Sequence, residues 1–134
     1  MQEAENTSAP KVAVATGDQI ELCYAVRKAV FQEEQQVPES LERDAQDATA
    51  VHMLHCLANS GEPVGASRLL ISADGTVGKI GRVCVLKQHR CRGIGRAVVI
   101  GSVEELRCDL WLLFAVRLCS MFSLITFGPI HFGF

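Results

Sequence analysis

The chain has 134 residues, 49 % of them hydrophobic and 21 % charged, with a formal net charge of −2. That length suits a single domain with a modest core. The near-neutral balance excludes a general nucleic-acid binder, which carries a basic excess. The first ten residues, MQEAENTSAP, are acidic and polar without an apolar run. They predict a disordered lead-in rather than a secretory signal or a basic transit peptide.

KVAVAT (11–16) alternates and is rich in β-formers, which predicts a first strand. Asp18 followed by Glu21 predicts a helix start closed by a capping box. Ile20, Cys23, Val26 and Val30 recur at helical spacing, so an amphipathic helix is expected over 19–32, and Pro38 ends any continuation. Residues 33–47, EEQQVPESLERDAQD, hold six acidic side chains and one basic one. Two readings stay open there: a solvated loop or short helix, or a negative rim that attracts a cationic, amine-bearing substrate.

Strands are then predicted at VHMLHCLAN (51–59) and PVGASRLLIS (63–72), joined by SGE. ADG (73–75) is a turn signal, KIGRVCVLK (79–87) a further strand, and a helix follows from 93 to 107. This order predicts a mixed α/β (α+β) domain whose central strands form a meander.

The six cysteines (Cys23, Cys56, Cys84, Cys91, Cys108, Cys119) show no C-x-x-C pair and no regular spacing, so reduced thiols of a cytosolic chain are expected. His52 and His55 stand three apart on a predicted strand and fall on opposite faces. No metal site is expected from them.

The stretch RCRGIG (90–95) lies between a buried strand and a helix. A dinucleotide fingerprint would need a third glycine where Val98 stands, and no Gly-Lys-Ser/Thr follows, so Rossmann and Walker turns are both excluded. What remains is Arg90-x-x-Gly93-x-Gly95. The glycines let the backbone approach a ligand closely, and N–H groups at a helix start favour an anion. Lys87, Arg90, Arg92 and Arg96 add positive charge around that point. A tight capped turn without a ligand is the alternative.

RVCVLKQHRCRGIGRAVV (82–99) resembles the acetyl-CoA-binding segment of the GNAT superfamily of N-acyltransferases, with its pattern Arg/Gln-x-x-Gly-x-Gly/Ala. Upstream, RKAVFQEEQQVP (27–38), ERDAQDATAVH (42–52) and RLL (68–70) followed by KIGRVCV are similar to the ElaA-like branch of small bacterial and fungal members. The resemblance spans residues 11 to 105, about 70 % of the chain. It implies a GNAT-like, mostly antiparallel mixed sheet flanked by helices. It also implies a cytoplasmic transferase moving an acetyl group from acetyl-CoA, a co-substrate, to a primary amine of a small molecule or peptide. No metal and no nucleic-acid partner are expected.

By the same resemblance, the strand carrying Val83, Cys84 and Val85 splays from its neighbour and frees backbone groups for the pantetheine arm and thioester carbonyl. The loop of Arg90, Cys91, Arg92, Gly93, Ile94, Gly95 and Arg96 would hold the pyrophosphate. The amine would attack the thioester directly, helped by positioning, by an N–H aimed at the developing oxyanion and by a route for the ammonium proton. A thiol nucleophile at Cys84 or Cys91 is disfavoured, since neither has an adjacent base and Cys84 suits a small packed hydrophobe. Glu34, Asp47 and His52 are candidate general bases, with Glu34 preferred over packing and surface alternatives.

After residue 107 the resemblance stops. The family's fifth strand and tyrosine acid have no counterpart, because the single tyrosine is Tyr24, while five of six phenylalanines and the only tryptophan sit in CDLWLLFAVRLCSMFSLITFGPIHFGF. Three readings compete: a C-terminus altered by splicing, read-through or gene assembly; a degenerate strand and helix that still pack; or a tail anchor. The anchor would be 110–127, eighteen residues at the lower limit for a span, with Arg117 costing about 2.5–3.5 kcal/mol at its centre. A sheet without its fifth strand predicts weak or absent acetyl-CoA binding and an aggregation-prone edge. A catalytically inactive interaction module is therefore the competing function.

Overall fold

β1 (Lys11–Val14) leads into α1 (Gln19–Arg27), and four strands and three helices follow one another in this computed structural model, which describes residues 11–75 and 77–109. α1 continues without a break as a π-helical stretch, Lys28–Glu34. Next come α2 (Glu39–Glu42), a 3₁₀ turn at Ala45–Ala48, β2 (Val51–Cys56), β3 (Pro63–Ile71) and β4 (Gly78–Val85). A short 3₁₀ turn, Lys87–His89, precedes α3 (Ile94–Asp109). The predicted lead-in at 1–10 and the apolar tail from 110 lie outside the described residues.

The strands pair antiparallel in the order β1-β2-β3-β4, so the mixed α/β class and the meander are both present. α1 covers one face, where Cys23, Val26, Val30 and Phe31 meet Leu54, Ala66 and Cys84. α3 covers the other, with Leu106 on Met53 and Leu69, and with Ile94 and Val98 on Val64 and Val83. His52 and His55 do point to opposite faces. His52 meets the Tyr24 ring edge-on at 5.3 Å, and His55 is fully buried.

Two local expectations are corrected. Asp18 makes no capping hydrogen bond, because it already has helical dihedrals and its side chain cannot turn back. The Thr16 N–H instead donates to Gln19 Oε1 at 3.1 Å. The capping box forms in the acidic segment, where Asp44 accepts from Gln46 N–H and Asp47 accepts from Asp44 N–H.

In that segment the expected short helix forms as α2, but its carboxylates are neither all solvated nor a continuous negative rim. Glu42 and Asp47 are buried. Arg27, itself fully buried, donates to Glu42 Oε1 at 2.6 Å and to Asp47 Oδ1 at 2.7 Å. Arg68 bridges Asp44 at 2.7 Å and Asp47 at 3.1 Å. Buried carboxylates survive only when paired in this way. The network ties the 39–48 segment to α1 and β3.

Candidate active site

β4 carries a register irregularity that shapes everything beside it. Arg68 pairs with Gly81 and Ala66 with Cys84, so Arg82 and Val83 together oppose Ser67. Arg82 takes a left-handed φ of 52°, the bend expected at a bulge. Beyond it, Leu86 N–H donates to Val64 O at 2.9 Å. By antiparallel alternation the backbone groups of Cys84 then face β3, while those of Val83 and Val85 face away from it. Val85 O accordingly accepts from Arg90 Nε at 3.0 Å on that outer side.

A cavity of about 860 Å³ opens between this outer edge and α3. It is lined by Val83, Cys84, Val85, Arg90, Cys91, Gly93, Ile94, Gly95 and Arg96, nine of the ten residues expected from sequence to touch the co-substrate. Arg92 does not line it and stands exposed on the same loop. Val99, Ile100, Val103, Glu104 and Arg107 extend the wall along α3, and Val30 and Gln35 close the α1 side. Sequence reading missed these because helical periodicity marks a face without saying what it faces.

The turn into α3 has the geometry of a helix start that favours an anion. Gly93 has a φ of 79°, a conformation that costs other residues about 1–2 kcal/mol. Ala97 N–H donates to Gly93 O at 3.1 Å and closes the first helical turn. The N–H groups of Ile94, Gly95 and Arg96 therefore have no partner within the helix. They carry the positive end of the helix dipole. The Ile94 side chain is buried against Val64, Val83 and Val98, so only its backbone can serve a ligand. Gly95 is ringed by open space apart from Val85 Cγ2, which a Cβ would meet at 3.7 Å.

The candidate nucleophiles and bases fare differently. Burial pushes the Cys84 thiol up to about 12, and its Sγ lies 3.8 Å from Ala66 O. It stays a neutral thiol. Glu34 is held in a bidentate pair, accepting from Arg90 Nη1 and Nη2 at 2.6 Å each. Those hydrogen bonds, with the charge of Arg90, lower its pKa below the ordinary carboxylate value. As it stands Glu34 anchors the loop and is a poor proton acceptor.

Asp47 is no freer. Burial opposes its ionisation, but the hydrogen bonds and charges of Arg27 and Arg68 outweigh that and bring its pKa to about 2. His52 Nε2 lies 3.0 Å from Asp47 O. A carbonyl can only accept, so the proton sits on Nε2. Neither residue lines the cavity. Among the described residues no group of three or more His, Cys, Asp or Glu could hold a metal ion, and no helix is long and apolar enough to cross a membrane.

A meander whose bulged edge strand feeds a basic glycine turn is the arrangement expected of N-acyltransferases that use a coenzyme A thioester. The sequence profile of the acetyltransferase (GNAT) family matches residues 20–121, and the chain belongs to that family. A Bacillus subtilis protein provisionally named an acetyltransferase is 37 % identical over 94 residues, covering 69 % of this chain and 62 % of that protein. A provisionally named N-acetyltransferase from Lactobacillus plantarum has a solved structure with a TM-score of 0.68. It is 26 % identical, and the match covers 91 % of this chain and 89 % of that one. Escherichia coli ElaA also gives 0.68, with the same coverage, at 23 % identity, a likeness of fold alone. The chain spans less than two thirds of the length of the curated relatives it matches.

Proposed function

We propose that the chain is an N-acetyltransferase that moves the acetyl group of acetyl-CoA onto a primary amine of a small molecule or peptide. The observation that carries this reading is the cavity itself, where the edge of β4 that pairs with no strand among the described residues meets the N-terminus of α3. The N–H groups of Ile94, Gly95 and Arg96, with the Arg92 and Arg96 side chains, would hold the pyrophosphate. The outward amide groups of Val83 and Val85 would pair with the pantetheine arm and orient the thioester carbonyl. With the Cys84 thiol neutral, the amine attacks the carbonyl carbon directly and no covalent enzyme intermediate forms. Glu34 takes the ammonium proton only if Arg90 lets go of it; otherwise it fixes the loop.

The motifs at 27–38 and 42–52 support a place in the ElaA-like branch, and the reading is of a cytoplasmic enzyme without a nucleic-acid partner. The pairing of Arg90 with Glu34 neutralises one cation of the loop, which favours weak acetyl-CoA binding and keeps the inactive binding module as the second reading. A panel of primary amines, with release of the CoA thiol as readout, separates the two. Turnover with at least one amine, lost in Gly93 and Gly95 variants carrying bulky side chains, is expected. Binding of acetyl-CoA without turnover on any amine would leave the binding module. Unchanged binding in those variants would overturn the site.

A further inference from the structure

Arg82 is a buried cation that sequence reading left without a role. It sits at the bulge of β4, in a left-handed conformation that is strained for any residue but glycine. Such a conformation persists only where the surroundings impose it. Here the guanidinium reaches across to the 41–44 segment. Nε donates to Glu42 O at 3.0 Å, and Nη2 donates to Leu41 O at 3.1 Å and to Asp44 Oδ2 at 3.3 Å. Asp44 is in turn held by Arg68, and Glu42 by Arg27.

We infer that Arg82 is a positioning residue for the acyl-thioester arm of the co-substrate, acting by clamping the bulge of β4 to the 41–44 segment; this rests on the acetyl-CoA reading above. The bulge makes two β4 residues oppose one residue of β3, and it therefore sets which amide groups of Val83 and Val85 face the cavity. The clamp fixes that outcome from the far side of the sheet, without Arg82 touching the ligand. It leaves the pyrophosphate turn alone, because that turn is fixed by Gly93 and by the Arg90–Glu34 pair. The structure thus gives the two halves of the co-substrate separate supports.

Two probes separate those halves: coenzyme A, and 3′-phosphoadenosine 5′-diphosphate, which keeps the pyrophosphate and lacks the pantetheine arm. Each is titrated calorimetrically into the wild-type chain, Arg82→Gln and Arg82→Gly. Glycine tolerates the left-handed φ and so preserves the fold while removing the clamp. The wild type is expected to prefer coenzyme A. Both variants should bind the 5′-diphosphate probe as the wild type does and lose about tenfold of that preference, the equivalent of one net hydrogen bond. Amide resonances of residues 83–85 should shift while those of 93–96 stay. The inference is overturned if the variants keep the preference, if both probes weaken equally, or if neither variant folds, which would make Arg82 a stability residue only. Equal wild-type affinity for the two probes overturns it as well. A wild type that binds neither probe refutes the acetyl-CoA reading itself, and the inference falls with it.

Discussion

Replacing Gly95 by alanine sets stability and ligand binding against each other. The added Cβ meets only Val85 Cγ2, at 3.7 Å, an ordinary contact. Within α3 the exchange improves helix propensity by up to about 1 kcal/mol. The variant should therefore melt at the same temperature or up to about 5 °C higher. The same methyl projects into the cavity where the N–H groups of the first turn converge. Keeping a phosphate oxygen away from one of those groups forfeits a charge-assisted hydrogen bond of about 1.5–3 kcal/mol. That corresponds to roughly a ten- to hundredfold weaker dissociation constant. Thermal melting and calorimetric titration with coenzyme A give both numbers from one preparation. A variant that is as stable as the wild type and binds coenzyme A equally well would refute the assignment of the α3 turn.

Three further outcomes follow from the same geometry. Arg27→Met should cost about 3–5 kcal/mol in urea unfolding, because Glu42 and Asp47 lose their buried partner; a cost below about 1 kcal/mol would mean that the network is not a structural tie. Glu34→Gln should cost at most about 1 kcal/mol of stability while strengthening coenzyme A binding a fewfold, since Arg90 is released for phosphate; weaker binding would mean that the pair's hold on the loop outweighs the charge it withholds. The His55 ring is fully buried, and neither of its nitrogens finds a partner among the described residues. Burial lowers its pKa below 6.5, so the unfolded state binds the proton more readily. Stability is then full above about pH 6.5 and falls as the pH drops through that value towards the folded-state pKa. His55→Leu should flatten that slope in denaturation curves taken from pH 7 to 5, and an unchanged slope would assign it to another group.

Much of the fold was legible because apolar periodicity reports directly on burial. The Ile20, Cys23, Val26, Val30 spacing marked the helix that covers one face, and the four strand segments appeared within a few residues of their positions. Most of the lining of the cleft between β4 and α3 was legible because a glycine turn between a strand and a helix marks where backbone is left open. The acidic segment was legible only in part, its short helix but not its buried acids, because composition cannot say which carboxylates turn inward. Glu42 and Asp47 look like any surface acids until Arg27 and Arg68, distant in sequence, are folded against them. The Glu34–Arg90 pair escaped for the same reason, since it joins positions 56 apart. The Arg82 bulge left no trace because a left-handed arginine has no sequence signature.

The central claim is that the cleft between β4 and the α3 turn receives coenzyme A. Its most direct test is a titration of the ¹⁵N-labelled wild-type chain with coenzyme A, followed through backbone amide resonances. The account predicts saturable shifts concentrated at residues 83, 85 and 93–96, with an affinity weaker than low micromolar. Absence of saturable shifts, or shifts gathered on a face away from β4 and the α3 turn, would contradict it.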